Sequence, residues 1–288
     1  PANSKPEDIT LFVRDKLRQQ FIRADVGITG GNFLVADVGA LVLTENEGNG
    51  LLSFSFPRIH IAVVGIEKII PSLDDLDLFL PLLAHHGTGQ HITVYNNILF
   101  GPRSEWEPDG PDEMYVILLD NHRTDVLKLK EQRRALSCIR CGACLNGCPV
   151  YRSIGGYTYG AVYSGPIGSV ISPHYQGFRD YNHLSFASSL CGKCTEVCPV
   201  KIPLHELLLH NRQEAVSKKQ VSMFWRYVNK GWKTVMMHRW MLDKPGSNLK
   251  NRMIRRFGRK IWGPRRSLPR MAQKSFRELW KEQRSESS

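Results

Sequence analysis

The chemistry of this chain is concentrated in seven cysteines, all lying between Cys138 and Cys198. Cys138, Cys141, Cys144 and Cys148-Pro149 form a C-x2-C-x2-C-x3-C-P run, a spacing that suits cubane iron–sulfur clusters. Thiolates at two-residue intervals wrap one face of a small cluster while the intervening backbone amides point at its sulfides. The proline then turns the chain toward a neighbouring site. A shift of fifty residues lays Cys141-Gly142, Cys144 and Cys148-Pro149-Val150 on Cys191-Gly192, Cys194 and Cys198-Pro199-Val200. An internal repeat of this kind implies two clusters related by pseudo-twofold symmetry.

In a run of this type the fourth cysteine serves the other cluster. The expected sets are Cys138, Cys141, Cys144 and Cys198 for one 4Fe-4S cluster, and Cys148, Cys191 and Cys194 for a second. Eight positions are needed and seven are cysteine; Ser188 aligns with Cys138. A serine oxygen or a water is a harder and poorer ligand for iron than a thiolate. The second cluster is therefore expected either as 3Fe-4S or as 4Fe-4S with one labile corner. An alternative stays open, in which Ser188 caps a helix and a group from a partner fills the corner. Structural zinc favours separated ligand pairs over such a triple, and no Cys-x-x-Cys-His haem attachment occurs.

The elements that must position these thiols can be read on either side of them. With 288 residues, 42% apolar and 23% charged, the chain can bury one or two ordinary cores. General disorder, collagen and a membrane bundle are excluded. No apolar run approaches the roughly 18 to 20 residues of a spanning helix, and the first residues lack the basic-then-apolar order of a secretory signal. An odd number of closely clustered cysteines fits ligands in a reducing compartment better than a disulfide framework, so a cytoplasmic-side protein is expected. Residues 6–22 read as an amphipathic helix with Pro6, Glu7 and Asp8 in its first turn. Runs rich in β-branched and apolar residues at 32–44, 59–66, 92–95 and 114–119 suggest strands, and 71–86 a helix. Strands alternating with a helix predict an α/β layer structure with a largely buried sheet. A helix from Asn121 toward Leu136 then leads to the cysteines, which sit among helices. The expected layout is residues 1–123 as an α/β domain, 124–212 as an α-helical two-cluster ferredoxin module and 213–288 as a basic, aromatic helical tail.

These stretches carry a resemblance. Gly27-Ile28-Thr29-Gly30-Gly31-Asn32-Phe33-Leu34-Val35-Ala36, Asn46-Glu47-Gly48-Asn49-Gly50, residues 60–68, 138–151 and 188–203, and Ser275-Phe276-Arg277-Glu278-Leu279-Trp280 are similar to the C-terminal three fifths of the lactate utilisation B family. These are iron–sulfur subunits of bacterial L-lactate oxidation complexes. The resemblance implies that residues 1 to about 123 are the latter part of a domain similar to the sugar-phosphate isomerase and CoA-transferase fold, with a further α/β portion expected before Pro1. It also implies electron transfer during oxidation of L-lactate to pyruvate, two partner subunits, and the same seven cysteines and serine as ligand positions. One departure is local: Glu-Thr-Gly is expected where Asp37-Val38-Gly39 stands.

Other features carry less. Residues 44–50, including Glu45, offer a carboxylate beside a turn and raise a CoA-type transferase as a rival, although Asn and Gly explain the turn without chemistry. His85, His86 and His91 read as a solvated helix end. The connection 151–189 is rich in Gly and Tyr, suited to aromatic cover over a cluster. No nucleotide-binding glycine pattern is present. The stretch from Asn211 to Ser288 holds 21 of the 39 basic residues against 5 of the 27 acidic ones, and five of the six tryptophans, Trp225, Trp232, Trp240, Trp262 and Trp280. Its densest block runs from Arg252 to Lys260. Such a tail suits a peripheral membrane face or an acidic partner better than nucleic acid, the latter kept as a rival in which the clusters are structural. The leading expectation is a one-electron relay, with substrate oxidation assigned to a partner; an iron–sulfur subunit of a glycolate-type oxidase is the alternative.

Overall fold

The computed structural model describes residues 5–238, 240–241, 246–258, 263 and 267–286. It is a mixed α/β protein dividing into two compact units, Pro1–Lys218 and Lys219–Ser288. The first unit opens with α1 (Pro6–Arg23), a helix with acids in its first turn and no buried residue. Two sheets follow. One is parallel, in the order β1 (Val26–Gly30), β4 (Ile59–Gly65), β7 (Glu113–Leu119). The other is mixed, in the order β5 (Ile69–Ile70), β2 (Phe33–Val35), β3 (Ala40–Glu45), β6 (Tyr95–Leu99).

The run expected at 32–44 is two antiparallel strands, paired Phe33 with Val42 and Val35 with Ala40. Gly39, at φ 66°, makes the turn between them in a left-handed conformation that costs glycine little. The run expected at 92–95 gives way to a strand beginning at Tyr95. Thr93 ends the preceding turn by hydroxyl contact with Asn96 Oδ1 at 2.7 Å. Strand β1 was not foreseen, because its glycines weaken the β pattern. Its Gly27 is a packing requirement, since a Cβ there would lie 1.7 Å from the Ser53 carbonyl oxygen of α2 (Asn49–Ser55).

The period-two burial of β4 turns His60, Ala62 and Val64 inward. Ala62 and Val64 pack with Leu41, Leu43 and Phe54. The opposite face differs from the buried sheet expected: Ile28 is 68% exposed, Tyr115 52% and Ile117 49%, and among the described residues no element covers it. Helix α3 (Leu76–Thr88) covers the mixed sheet, burying Leu76 against Phe33, Val35, Val42 and Ile70. The helix expected from Asn121 breaks into α4 (Arg123–Lys128) and a 3-10 turn at Gln132–Ser137.

Beyond it the cysteine half is helical, with the short helices α5 (Ala143–Gly147), α6 (Pro149–Ile154), α8 (Phe178–Tyr181), α9 (His183–Phe186) and α10 (Lys193–Glu196) around two longer ones. Its core is α7 (Gly165–Gln176), buried along nearly its whole length, against α11 (Leu204–Ser217). Leu204, Leu207, Leu208, Asn211 and Ala215 of α11 recur at helical spacing and are all buried. This helix runs through the residue 212 expected to end the module.

Candidate metal centre

The fifty-residue repeat is a repeat of conformation. Arg140 and Leu190, each two residues after the first position of its run, both take left-handed backbone, at φ 63° and 54°. Gly142 and Gly192 follow at 81° and 80°. The short helices α5 (Ala143–Gly147) and, later in the chain, Lys193–Glu196 start directly after these glycines and bury Cys144 and Cys194. Left-handed non-glycine residues cost of order 1–3 kcal/mol each and persist only where their surroundings hold them. Their paired occurrence turns both cysteine loops inward in the same way.

The first positions of the two runs also match. Cys138 Sγ accepts the Arg140 N–H at 3.4 Å, and Ser188 Oγ accepts the Leu190 N–H at 3.2 Å. Ser188 thus presents its oxygen in the local geometry in which Cys138 presents its sulfur. Cys148 accepts the Tyr151 N–H at 3.4 Å, capping α6 (Pro149–Ile154).

Cys138, Cys141, Cys144 and Cys198 line one cavity of ≈ 200 Å³, here called site I, together with Arg140, Tyr163, Ile167 and Ile202. Burial raises the Cys141 thiol, and the neighbouring Cys138 and Cys198 raise it further. Burial likewise pushes Cys144 up to about 12. At Cys194 burial is again the main cause of a raised value, and the neighbouring Cys148 and Cys191 raise it further. Cys148, Cys191 and Cys194, the three cysteines that do not line site I, are here called site II. Cys191 is exposed, and its thiol is lowered by the Lys193 backbone N–H and the Ser189 side chain. Thiols this reluctant to ionise become thiolates when a cation binds them. Among the described residues, no three His, Cys, Asp or Glu side chains close around a single-ion site. The four thiols of site I instead surround a volume, as a multi-iron group requires. Arg140 adds an independent fit: its Nη1 is buried without a hydrogen-bond partner, on a side chain that lines this cavity.

Sequence reasoning missed the charged residues around site I, because most come from far away in the chain. Lys68, just after β4, donates to the Cys138 carbonyl at 3.1 Å; burial lowers its ammonium to about 8. Glu67 forms an ion pair with Arg123 Nε, their side chains being 4% and 3% exposed, and Arg140 Nη2 lies 3.5 Å away. Arg123 also reaches the Tyr163 hydroxyl at 3.3 Å and stands 4.8 Å over the Tyr175 ring, while Arg140 stands 4.1 Å over Tyr163. Beside site II, Arg212 of α11 donates to the carbonyls of Ser185 and Ser188, each at 2.8 Å.

The other candidates are placed as follows. Glu45 accepts the N–H groups of Gly50 and Leu51 at 2.8 and 2.6 Å, so its carboxylate holds the start of α2. His85 and His86 lie in the last turn of α3, and His91 just beyond it. In the second unit, α12 (Met223–Met237) carries Trp225 and Trp232, both exposed. Trp240 is exposed, and Trp280 lies in the helix Phe276–Glu286. Arg259, Lys260 and Trp262 lie outside the described residues. Among the described residues no helix is long and apolar enough to cross a membrane.

Known families match both halves. A model described as LUD domain matches residues 2–119, and one described as 4Fe-4S dicluster domain matches residues 134–202. The chain is 41% identical over 295 residues to a protein named Lactate utilization protein B from Shouchella clausii, covering 99% of this chain and 62% of that one. The Bacillus pumilus protein of the same name is 43% identical over 98% of this chain and 61% of its own length. That from Bacillus subtilis is 49% identical over 75% of this chain and 45% of its own. The chain thus spans between 45% and 62% of the length of these relatives. A solved structure described as a DUF162 family protein from Deinococcus radiodurans matches 35% of this chain and 56% of its own, at 21% identity and a TM-score of 0.27.

Proposed function

We propose that this chain, homologous over nearly its whole length to the lactate utilization B proteins, is an electron-transfer subunit of a system oxidising L-lactate to pyruvate. The observation that carries this reading is the gathering of Cys138, Cys141, Cys144 and Cys198 around one cavity. Site I would hold a 4Fe-4S cluster on these four thiols. Site II would hold a second on Cys148, Cys191 and Cys194, with Ser188 at the fourth corner. Bound there, iron–sulfur clusters supply reversible one-electron transfer at potentials set by charge, hydrogen bonding and exposure.

The chain's own residues do the rest. The backbone amides of Arg140, Tyr151 and Ile202 donate to the cysteine sulfurs of 138, 148 and 198. Tyr163 and Ile167 wall site I. The exposure of Cys191 leaves one edge of site II open to a partner. Oxidising a 2-hydroxy acid to the 2-oxo acid removes two electrons and two protons, one from carbon and one from the hydroxyl. We assign that step to one of two partner lactate-utilisation subunits and the single-electron relay to this chain. The α/β half is proposed to be part of a domain similar to sugar-phosphate isomerases and CoA transferases.

The test is anaerobic EPR with iron and sulfide counts on wild type and Ser188→Cys, as isolated and after dithionite. About eight irons with interacting reduced signals, or about seven with an oxidised three-iron signal that Ser188→Cys removes, is the expected result. Zinc, or iron that cannot be reversibly reduced, would overturn the reading.

The tail points to a location. In α12, Phe224, Trp225, Val228, Trp232, Val235 and Met236 fall on one helical face, all exposed, while Arg226, Lys230 and Lys233 occupy the other. Aromatic and basic residues segregated in this way suit a helix lying in an anionic lipid interface. We propose that the protein is cytoplasmic and touches the inner membrane face through this helix. It should float with vesicles containing phosphatidylglycerol and not with phosphatidylcholine alone, and Trp232→Ser should weaken binding. Equal flotation with both vesicle types, or none, would refute this, as would capture by an acidic protein that competes fully with lipid.

A further inference from the structure

The repeat places a cation on the same backbone atom at both sites. Lys68 Nζ donates to the Cys138 carbonyl at 3.1 Å, and Arg212 Nη2 to the Ser188 carbonyl at 2.8 Å. Residues 138 and 188 are the first positions of the two runs. The two cations have different origins. Arg212 belongs to α11, inside the cysteine half. Lys68 belongs to the short turn Ile66–Lys68 between β4 and β5 of the α/β half. Its neighbour Glu67 is tied to Arg123 and Arg140, so the corner is fixed from both sides. Ile139 and Cys141 pack in the core that contains Phe33, Val35 and Ile70.

We propose that Lys68 is a positioning residue through which the α/β half sets the reduction potential of site I, while Arg212 sets that of site II independently. A fixed positive charge beside a cluster favours the state that carries one more electron. In the exchange between the sites, one electron leaves the reduced group at site II and enters the oxidised group at site I; nothing else is consumed. Removing the Lys68 charge shifts this equilibrium toward site II. A ligand or partner that displaces the Ile66–Lys68 corner does the same, so site I answers to the state of the α/β half and site II does not.

The inference rests on the electron-relay reading, and its test separates the two. EPR-monitored potentiometric titration of the full chain should give two reduction steps. In Lys68→Met one step should fall by about 59 mV, a tenfold change in its one-electron equilibrium, with the other unmoved. In Arg212→Met the other step should fall instead. Lys68→Arg should restore the wild-type value, and Lys68→Gln, which keeps a donor without the charge, should not. If Lys68→Met fails to load iron, the Arg and Gln variants decide the matter alone. Equal potentials in Lys68→Arg and Lys68→Gln, or both steps moving together, would overturn the proposal. A wild type without reversible reduction would count against the relay itself.

Discussion

Glu67, in the turn after β4, holds two guanidinium groups at once. Its side chain is 4% exposed, paired with Arg123 at 3% exposure and approached by Arg140 Nη2 at 3.5 Å. Gly65 makes room for it: a Cβ there would lie 2.1 Å from Glu67 Oε2. Glu67→Gln preserves the shape and one acceptor but leaves the buried Arg123 guanidinium without a counter-charge, next to Arg140 and Lys68. Breaking a buried pair from one side costs about 3–5 kcal/mol, a large share of the roughly 5–15 kcal/mol that holds a typical domain. With a urea slope of about 2 kcal/mol/M, the midpoint followed by far-UV circular dichroism should fall by roughly 1.5–2.5 M at equal iron content. Glu67→Gln combined with Arg123→Met should recover much of that loss, because the orphaned charge has gone. A single-variant loss below about 1 kcal/mol, or strictly additive losses in the double variant, would show that the pair is not what fastens this corner.

Three further outcomes are expected. Asn211, fully buried, donates to the Val170 carbonyl and Ser185 Oγ at 2.9 and 3.1 Å and contacts His174 Nε2 at 3.1 Å. Asn211→Leu strands those partners and should cost about 3 kcal/mol in urea unfolding; a neutral result would mean the network relaxes. Gly168→Ala puts a methyl 2.0 Å from the Tyr163 carbonyl oxygen. It should cost about 1–3 kcal/mol and disturb the EPR line shape of site I, and an unchanged melting temperature with unchanged spectra would contradict that packing. His174 is lowered from its ordinary 6.5 by burial. The native state therefore binds its proton less readily than the unfolded chain. Stability is complete above pH 6.5 and declines as pH falls from there toward the lowered native value, by at most about 1.4 kcal/mol per pH unit. Apoprotein denaturation from pH 7.5 to 5.5 should show a shallower decline in His174→Gln than in wild type, and parallel profiles would assign the pH dependence elsewhere.

How much of this was visible beforehand depended on distance along the chain. The cysteine spacing, the repeat and the alignment of Ser188 with Cys138 are local signals, and conformation follows them closely enough that Arg140 and Leu190 share a backbone state. Strands β4 and β7 were legible from their β-branched runs. Lys68 was not, because nothing at residue 68 announces a carbonyl seventy residues later. Arg212 stood at the expected end of the module, where nothing announced the carbonyls of Ser185 and Ser188 as its partners. Strand β1 was hidden for the opposite reason. Its Gly27, which weakens the strand pattern, is required because α2 crosses too closely there for a side chain.

The packing of Ile139, Cys141 and Val200 into the core of Phe33, Val35 and Ile70 bears on how such a protein can be built and dismantled. Val200 also packs against the cysteine-half core, beside Cys198 and Ile202. An excised 124–218 fragment would carry Ile139 and Val200 into water and lose the Glu67 partner of Arg140, so a free-standing miniature ferredoxin is not latent in this sequence. Maturation inherits the same constraint: the loops that receive iron and sulfide are the loops that close the hydrophobic seam. Metal loading would then act on the loops that complete the α/β core, and limited proteolysis of iron-depleted against iron-loaded protein reads that coupling directly.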